Sequence, residues 1–340
     1  MRNDINVLAL GACGSNIGMR FFEQGFKVAF VNSSIEDLSV IKAPVKIHIK
    51  NGEGCAKNRA LVKQLVMESI DALIQDITTA LTAKYLVIPV GIGGGTGSGI
   101  APSLISFLAN MGHICIPVLV LPSVEESAKT CENAWNFITE ISHIKNIGSM
   151  FLLDNSTDED KFAINNKFVR DFISFLEINN ESTMSNIDTR EKKLLLETPG
   201  ISVIGRCSKT KSSSTDLIES IKNGIYAPIE NKNPKYIGLS TSNKSMKMSD
   251  FYSEYGESYD AFVGYSQSTN ILYLAGLQLP EKRTLKFKNK FEKIVQNIST
   301  SNFIQSNTLT PLQGLSFMEP TITQKAPQNP RDMLMSLLQG

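Results

Sequence analysis

Nine consecutive residues, Gly91-Ile-Gly93-Gly94-Gly95-Thr96-Gly97-Ser98-Gly99, hold six glycines, two hydroxyls and no charge. Glycine at this density lets the backbone turn tightly and come close to a ligand. Outward-pointing amides at the start of a following helix, joined by the Thr96 and Ser98 hydroxyls, would favour an anion there. The chemistry implied is a phosphate cradle. Two familiar versions of it fail. Walker A needs GxxxxGK[ST], and no lysine follows a suitable glycine. The dinucleotide fingerprint GxGxxG fails in both glycine-rich segments, because Cys13 takes its second glycine position in Gly11-Ala-Cys-Gly14-Ser-Asn16. The next apolar run ends in Asn32-Ser33, where a ribose-binding fold would carry an acid. A P-loop NTPase and a nicotinamide or flavin enzyme are therefore the weaker readings.

A second constellation is Asn186-Ile-Asp188-Thr-Arg-Glu191, followed by Gly200. Asp188 and Glu191 are three apart and share one face of a helical turn. In isolation they read as a helix start, with Asn186 as a cap and the acids complementing the dipole. Asn155 and Asn166 each offer a donor and an acceptor, but alone they read as turn or cap residues.

These residues need elements to hold them. Apolar runs at Ile5–Leu10, Lys27–Val31, Tyr85–Val90, Ile114–Leu121 and Met150–Leu153 predict strands. Between them lie helical patterns, among them Ile17–Gln24, one long stretch from about Cys55 to Leu81, and Ile100–Met111. Such alternation predicts an α/β fold with a parallel sheet covered on both faces and ligands at the carboxyl ends of its strands. A helix is expected from Lys161 to Ile178, with Phe162, Phe168, Phe172 and Phe175 on its apolar side. After Gly200 the texture turns β-rich, which predicts a second α/β domain closed by a helix from Glu281 to about Ile298. Residues 299–328 are rich in Ser, Thr, Asn, Gln and Pro and predict a mobile tail. Beyond them, Met333, Leu334, Leu337 and Leu338 could offer one apolar edge to a groove.

The chain has 340 residues, with 34 Lys and Arg against 33 Asp and Glu, for a net charge of +1. That balance argues against global attraction to nucleic acid or anionic membrane. Five scattered cysteines and three histidines predict reduced thiols and no metal-ligand cluster. No signal segment or membrane span is visible, so a soluble cytoplasmic protein without membrane insertion is expected.

Gly93–Gly99, reading GGGTGSG, resembles the signature of the tubulin/FtsZ superfamily, and the likeness extends over most of residues 1–300. Gly11, Cys13, Gly14 and Asn16 resemble its first phosphate loop, Asn32 its second, and Gly54 in Gly52-Glu-Gly54-Cys-Ala-Lys57 its third, the γ-phosphate sensor. Gly93, Gly94, Gly95, Thr96, Gly97 and Ser98 form the fourth. Asn155 and Asn166 match the base-reading positions, and Asn186, Asp188 and Glu191 match the synergy loop. The resemblance implies a tubulin/FtsZ-like fold: a Rossmann-like GTP-binding domain over residues 1–160 and a long central helix over 161–185. It further implies a synergy loop with a smaller α/β activation domain over 186–298, and a tail over 299–340. It implies GTP/GDP and Mg²⁺ as ligands, head-to-tail filaments, and hydrolysis in which the acids of one subunit act on the next subunit's nucleotide. The first loop has fewer glycines than is common in FtsZ, and the second acid is Glu, as in α-tubulin, where FtsZ has Asp. The order of segments looks closer to the TubZ class of plasmids and phages. That class implies a role in DNA segregation and a DNA-bound adaptor for the tail; the alternative is an FtsZ-like division scaffold.

Overall fold

The computed structural model describes residues 1–157, 160–178, 185–211, 213–266, 269–301 and 329–339. The first half alternates β1 (Ile5–Leu10), α1 (Gly11–Glu23), β2 (Lys27–Asn32), α2 (Ile35–Ser39) and β3 (Lys46–His48). Helices α3 (Arg59–Glu68) and α4 (Ile70–Ala80) come next, then β4 (Tyr85–Gly91), α5 (Thr96–Asn110) and β5 (Ile114–Leu121). This half closes with α6 (Ala128–Ser142) and β6 (Ser149–Asp154). Helices α7 (Lys161–Leu176) and α8 (Thr189–Glu197) lead to β7 (Gly200–Ser208), α9 (Ser214–Lys222) and β8 (Tyr236–Thr241). The rest is α10 (Ser249–Tyr255), β9 (Asp260–Tyr265), β10 (Thr269–Leu277), α11 (Glu281–Ser301) and α12 (Pro330–Gln339).

The strands form one sheet in the order β3-β2-β1-β4-β5-β6-β7-β10-β8-β9. It is parallel from β3 through β6. Strands β1 and β6 are buried along their whole length, as expected where helices cover both faces. The order 3-2-1-4-5-6 reverses direction between β1 and β4, which opens a crevice at the carboxyl ends of those strands. The two halves meet in a short parallel pairing of Ser149 with Gly200 and Met150 with Ile201. Beyond it, β10 runs antiparallel to both β7 and β8. Helix α7 ties the halves together through aromatic packing: Phe168 lies 5.2 Å from Phe151, and Phe175 lies 4.5 Å from Tyr273 of β10.

Several element boundaries differ from the sequence reading. Helix α1 starts at Gly11, not at Ile17, so the first glycine segment is helix rather than loop. Its glycines serve close packing: a Cβ at Gly14 would collide with the Pro89 carbonyl, and one at Gly18 would meet the Ala9 side chain at 2.6 Å. Helix α5 likewise starts inside the glycine run, at Thr96 instead of Ile100. The long helix expected from Cys55 breaks at Ser69, whose hydroxyl donates to the Leu65 carbonyl at 3.0 Å. Residues 55–58 are not helical, and Ala56 and Lys57 both have positive φ. Phe162, placed on the apolar side of α7, is 55% exposed. Most of the expected mobile stretch (302–328) lies outside the described residues.

Candidate functional site

Two adjoining cavities sit at the carboxyl ends of β1, β2, β4, β5 and β6, of 340 Å³ and 310 Å³. They share Cys13, Gly91 and Gly94. The first is walled by backbone from four segments, including Gly11, Asn32, Gly54 and the run Gly94–Gly97. The second extends past Asn16, Gly93 and Lys57 to Asn155, Phe162 and Asn165. A further cavity of 450 Å³ is bounded by Tyr226, Lys222 and Arg283, and no glycine-loop residue reaches it.

The walls are cross-braced. Thr96 Oγ1 lies 2.7 Å from Ser33 Oγ and 3.2 Å from Cys55 Sγ, which joins the segments after β2, β3 and β4. Asn133 Nδ2 donates to the carbonyls of Lys57 at 2.9 Å and Gly94 at 2.7 Å. A Cβ at Gly95 would collide with Cys55 Sγ, so only glycine lets these two loops touch. Asn32 Nδ2 donates to Asp37 at 3.0 Å, fixing the carboxylate on the wall of the first cavity.

One brace follows from a proline. Pro102 lies inside α5 and has no N–H for the carbonyl four residues back, that of Ser98. Arg59, the first residue of α3, takes over that role: its Nε and Nη2 donate to the Ser98 carbonyl at 3.2 and 2.8 Å. Nη2 also reaches Glu140 at 2.5 Å, so the buried guanidinium is paired. Ser98 Oγ turns back to the Gly94 carbonyl at 2.6 Å. The N-terminal turn of α5, with its unpaired amides, is thus locked in place from below.

The cavities suit an anion. Lys57 Nζ donates to Thr130 Oγ1 at 2.7 Å. Among the described residues it has no carboxylate partner. Lys161 lies 3.4 Å from Glu126 at the far end. Burial pushes the Cys13 thiol up to about 12, so this residue faces the cavities as a neutral group. At the strand end, Asp154 is clamped by Arg283 of α11, with contacts of 2.6 and 2.7 Å, and Asn155 follows directly. The C-terminal half therefore helps to hold the loop that carries Asn155.

Not every residue expected at the site is brought to it. Gly11, Cys13, Asn16, Asn32, Gly54, Gly93, Gly94, Gly95, Thr96, Gly97 and Asn155 line the two cavities. Gly14 packs on Pro89, and Ser98 is turned inward. Asn166 is a correction: it is exposed and lines a separate hollow beside Arg20, whereas its neighbour Asn165 is buried and lines the second cavity. Adjacent helix positions point about 100° apart, so a shift of one residue changes the face. Asn186, Asp188 and Glu191 do not line either cavity. Asp188 and Glu191 form a reciprocal capping box at the start of α8, each backbone N–H donating to the other's carboxylate at 2.8 Å. Sequence reasoning singled out none of Arg59, Thr130, Asn133 and Asn165; for Arg59 the proline at 102 was a readable signal.

Residues 4–158 match the model of the tubulin/FtsZ family's GTPase domain. Over that segment the chain is similar to the tubulin/FtsZ family. It is 26% identical over 324 residues to the tubulin-like protein TubZ of Clostridium botulinum C phage, covering 92% of this chain and 90% of that one. The crystal structure of C. botulinum phage c-st TubZ superposes with a TM-score of 0.79 at 24% identity, covering 87% of this chain and all of the other. A GTPγS-form protofilament structure of TubZ from Bacillus thuringiensis serovar israelensis superposes with a TM-score of 0.70 at 16% identity, over 87% and 93% of the two chains. The matched segment contains the residues that wall the first cavity and most of those that line the second, and it ends before α8.

Proposed function

We propose that this protein binds GTP across the two cavities, hydrolyses it with Mg²⁺, and assembles head-to-tail into filaments in which the site is completed by a neighbour. The amides of Gly94–Ser98 and the Thr96 hydroxyl would take phosphate oxygens, and Lys57 would add a positive charge. Asn155 and Asn165 would read the guanine edge, and the exposed Phe162 ring offers a face for the base. Bound Mg²⁺ would neutralise charge on the phosphates. Asp37 is the carboxylate on the phosphate-side wall, and no cluster of three or more metal-binding side chains occurs among the described residues. Most ligands of such an ion would then be phosphate oxygens and waters, which suits Mg²⁺.

One observation carries the shared-site reading. The helix that opens with the acids is anchored at one end of β6, and the cradle region lies at the other. Ser149 begins β6, and its hydroxyl donates to the Leu195 carbonyl of α8 at 2.7 Å. Asp154 ends β6 and carries the loop of Asn155. The six residues of β6 put roughly 17–20 Å between that anchor and the loop of Asn155. A subunit's own acids cannot serve its own cradle, but stacking subunits end to end would bring one pair onto the next cradle. Free Asp188 and Glu191 carboxylate oxygens could then position water for attack, the kind of alignment on which phosphoryl transfer depends.

The test is phosphate release against protein concentration. Activity per subunit should rise steeply with concentration, and Glu191→Ala should keep binding and assembly while slowing hydrolysis and prolonging filament life. A concentration-independent rate would overturn the shared site. A role in segregating or positioning plasmid or phage DNA, with the tail engaging a DNA-bound adaptor, is the finer part of this reading and fits the likeness to a phage TubZ. Co-sedimentation of filaments with adaptor-loaded DNA would test it. Among the described residues no helix is long and apolar enough to cross a membrane.

A further inference from the structure

The last apolar segment of the chain does not face solvent. Helix α12 lies across α3, α4 and α5, with Leu334 fully buried and Leu338 3% exposed. Its polar ends are also answered. Ser103 Oγ of α5 donates to the Leu337 carbonyl at 2.8 Å, satisfying one of the carbonyls that a helix C-terminus leaves open. At the other end Asn329 Oδ1 accepts from the Asp332 N–H at 2.9 Å, a helix start of the helix's own. Arg331 and Asp71 add an exposed ion pair at 3.6 Å.

The position of the seat matters more than its size. Ser103 follows Pro102, the residue that leaves the Ser98 carbonyl to Arg59. Helix α12 therefore rests on the two helices, α3 and α5, whose first turns are braced against each other at the cavity wall. The contact itself is small: two buried leucines flanked by half-buried Met333, Met335 and Leu337, one hydrogen bond and one exposed ion pair. A short helix held this way depends on its tether, residues 302–328, to keep its local concentration high.

We propose that the α3–α4–α5 face is a groove for this chain's own C-terminal helix, and that the helix is a displaceable latch on it. Seated, it hides the Leu334 and Leu338 edge from any partner of the tail and stiffens the helix starts that border the cavities. A partner taking that edge must first unseat the helix, so tail binding and the cavity state are coupled, and coupling of this kind acts in both directions. None of this depends on which ligand the cavities take.

A labelled peptide of residues 329–340 tests the seat on the full-length chain. The double variant Leu334→Asp, Leu338→Asp should free its groove and bind the peptide. The unmodified chain should bind it at least about tenfold more weakly, because its own helix competes. Peptide binding to neither chain, or equally to both, would overturn the proposal. A second measurement needs no variant. Amides of residues 334–338 in the full chain should exchange hydrogen at least about tenfold more slowly than in the free peptide; equal rates would overturn the seat. Protection that appears only as protein concentration rises would place the helix on a second copy and overturn the cis assignment. Adding peptide to the double variant should slow exchange over Gly94–Ser98, and unchanged exchange there would overturn the coupling.

Discussion

Lys57 has positive φ, an uncommon conformation for a residue with a long side chain, and its ammonium is held by a threonine hydroxyl at the cavity. A cation matched with hydroxyls and no carboxylate is available to a phosphate. Lys57→Met should weaken triphosphate binding by about tenfold or more while leaving guanosine binding unchanged, a split readable by calorimetry. Equal loss for nucleoside and nucleotide would place Lys57 in the fold and not in phosphate binding. Cys13 sits at the junction of the two cavities, and its thiol is pushed up to about 12 by burial, from an ordinary 9.0. The thiolate is the reactive form, so at pH 8 its alkylation should run at least about tenfold slower than that of a free thiol. Quantitative labelling by iodoacetamide within minutes would contradict this. The capping box of Asp188 and Glu191 shows how a structural and a chemical use can coexist. Each carboxylate gives one oxygen to the helix start and keeps the other.

At the scale of elements, the glycine-rich helices α1 and α5 are set by tertiary contact and not by propensity. Low helix propensity makes such segments read as loops, yet Gly14 and Gly18 allow α1 to lie directly on the sheet. The strands were legible because both of their faces are buried, leaving continuous apolar runs that need no pairing partner to identify. The helix starts were not, because they depend on what the glycines approach. The same limit applies to Asn165 and Asn166: the pattern marked the helix, while its rotation was set by Phe168 and Phe172 packing against Phe151 and Phe21. Pro102 and Arg59 offer a clean test of one element contact. Arg59→Met leaves the Ser98 carbonyl without a partner and should cost about 1–3 kcal/mol. Pro102→Ala returns a backbone N–H to that carbonyl, so the double variant should lose less stability than Arg59→Met alone. Additive losses in urea unfolding would show that the brace is not what holds the α5 start.

Across the whole molecule, the two halves of the sheet share a short pairing between β6 and β7 and an isolated bridge of Leu153 with Tyr226. Arg283 links the C-terminal half to the cavities: its buried ion pair with Asp154 fixes the strand end before Asn155. Helix α8 is anchored at the opposite end of β6, and Lys192 donates to the Ile178 carbonyl at 2.8 Å, tying α8 to the end of α7. Motif spacing in the sequence pointed to both the cradle and the acids, but only the fold anchors the acids' helix at the end of β6 away from the loop of Asn155. Such an arrangement has a direct test at the level of paired subunits. Glu191→Ala keeps the cradle and lacks an acid. Gly97→Ala places a Cβ 2.7 Å from the Leu10 carbonyl, disabling the cradle while sparing α8.

Phosphate release from an equal mixture of these two variants, each nearly inactive alone, is the decisive measurement. Every contact that sets an intact acid pair on an intact cradle should restore hydrolysis, so the mixture should exceed the sum of its parts. A mixture no more active than that sum would contradict a site divided between neighbours.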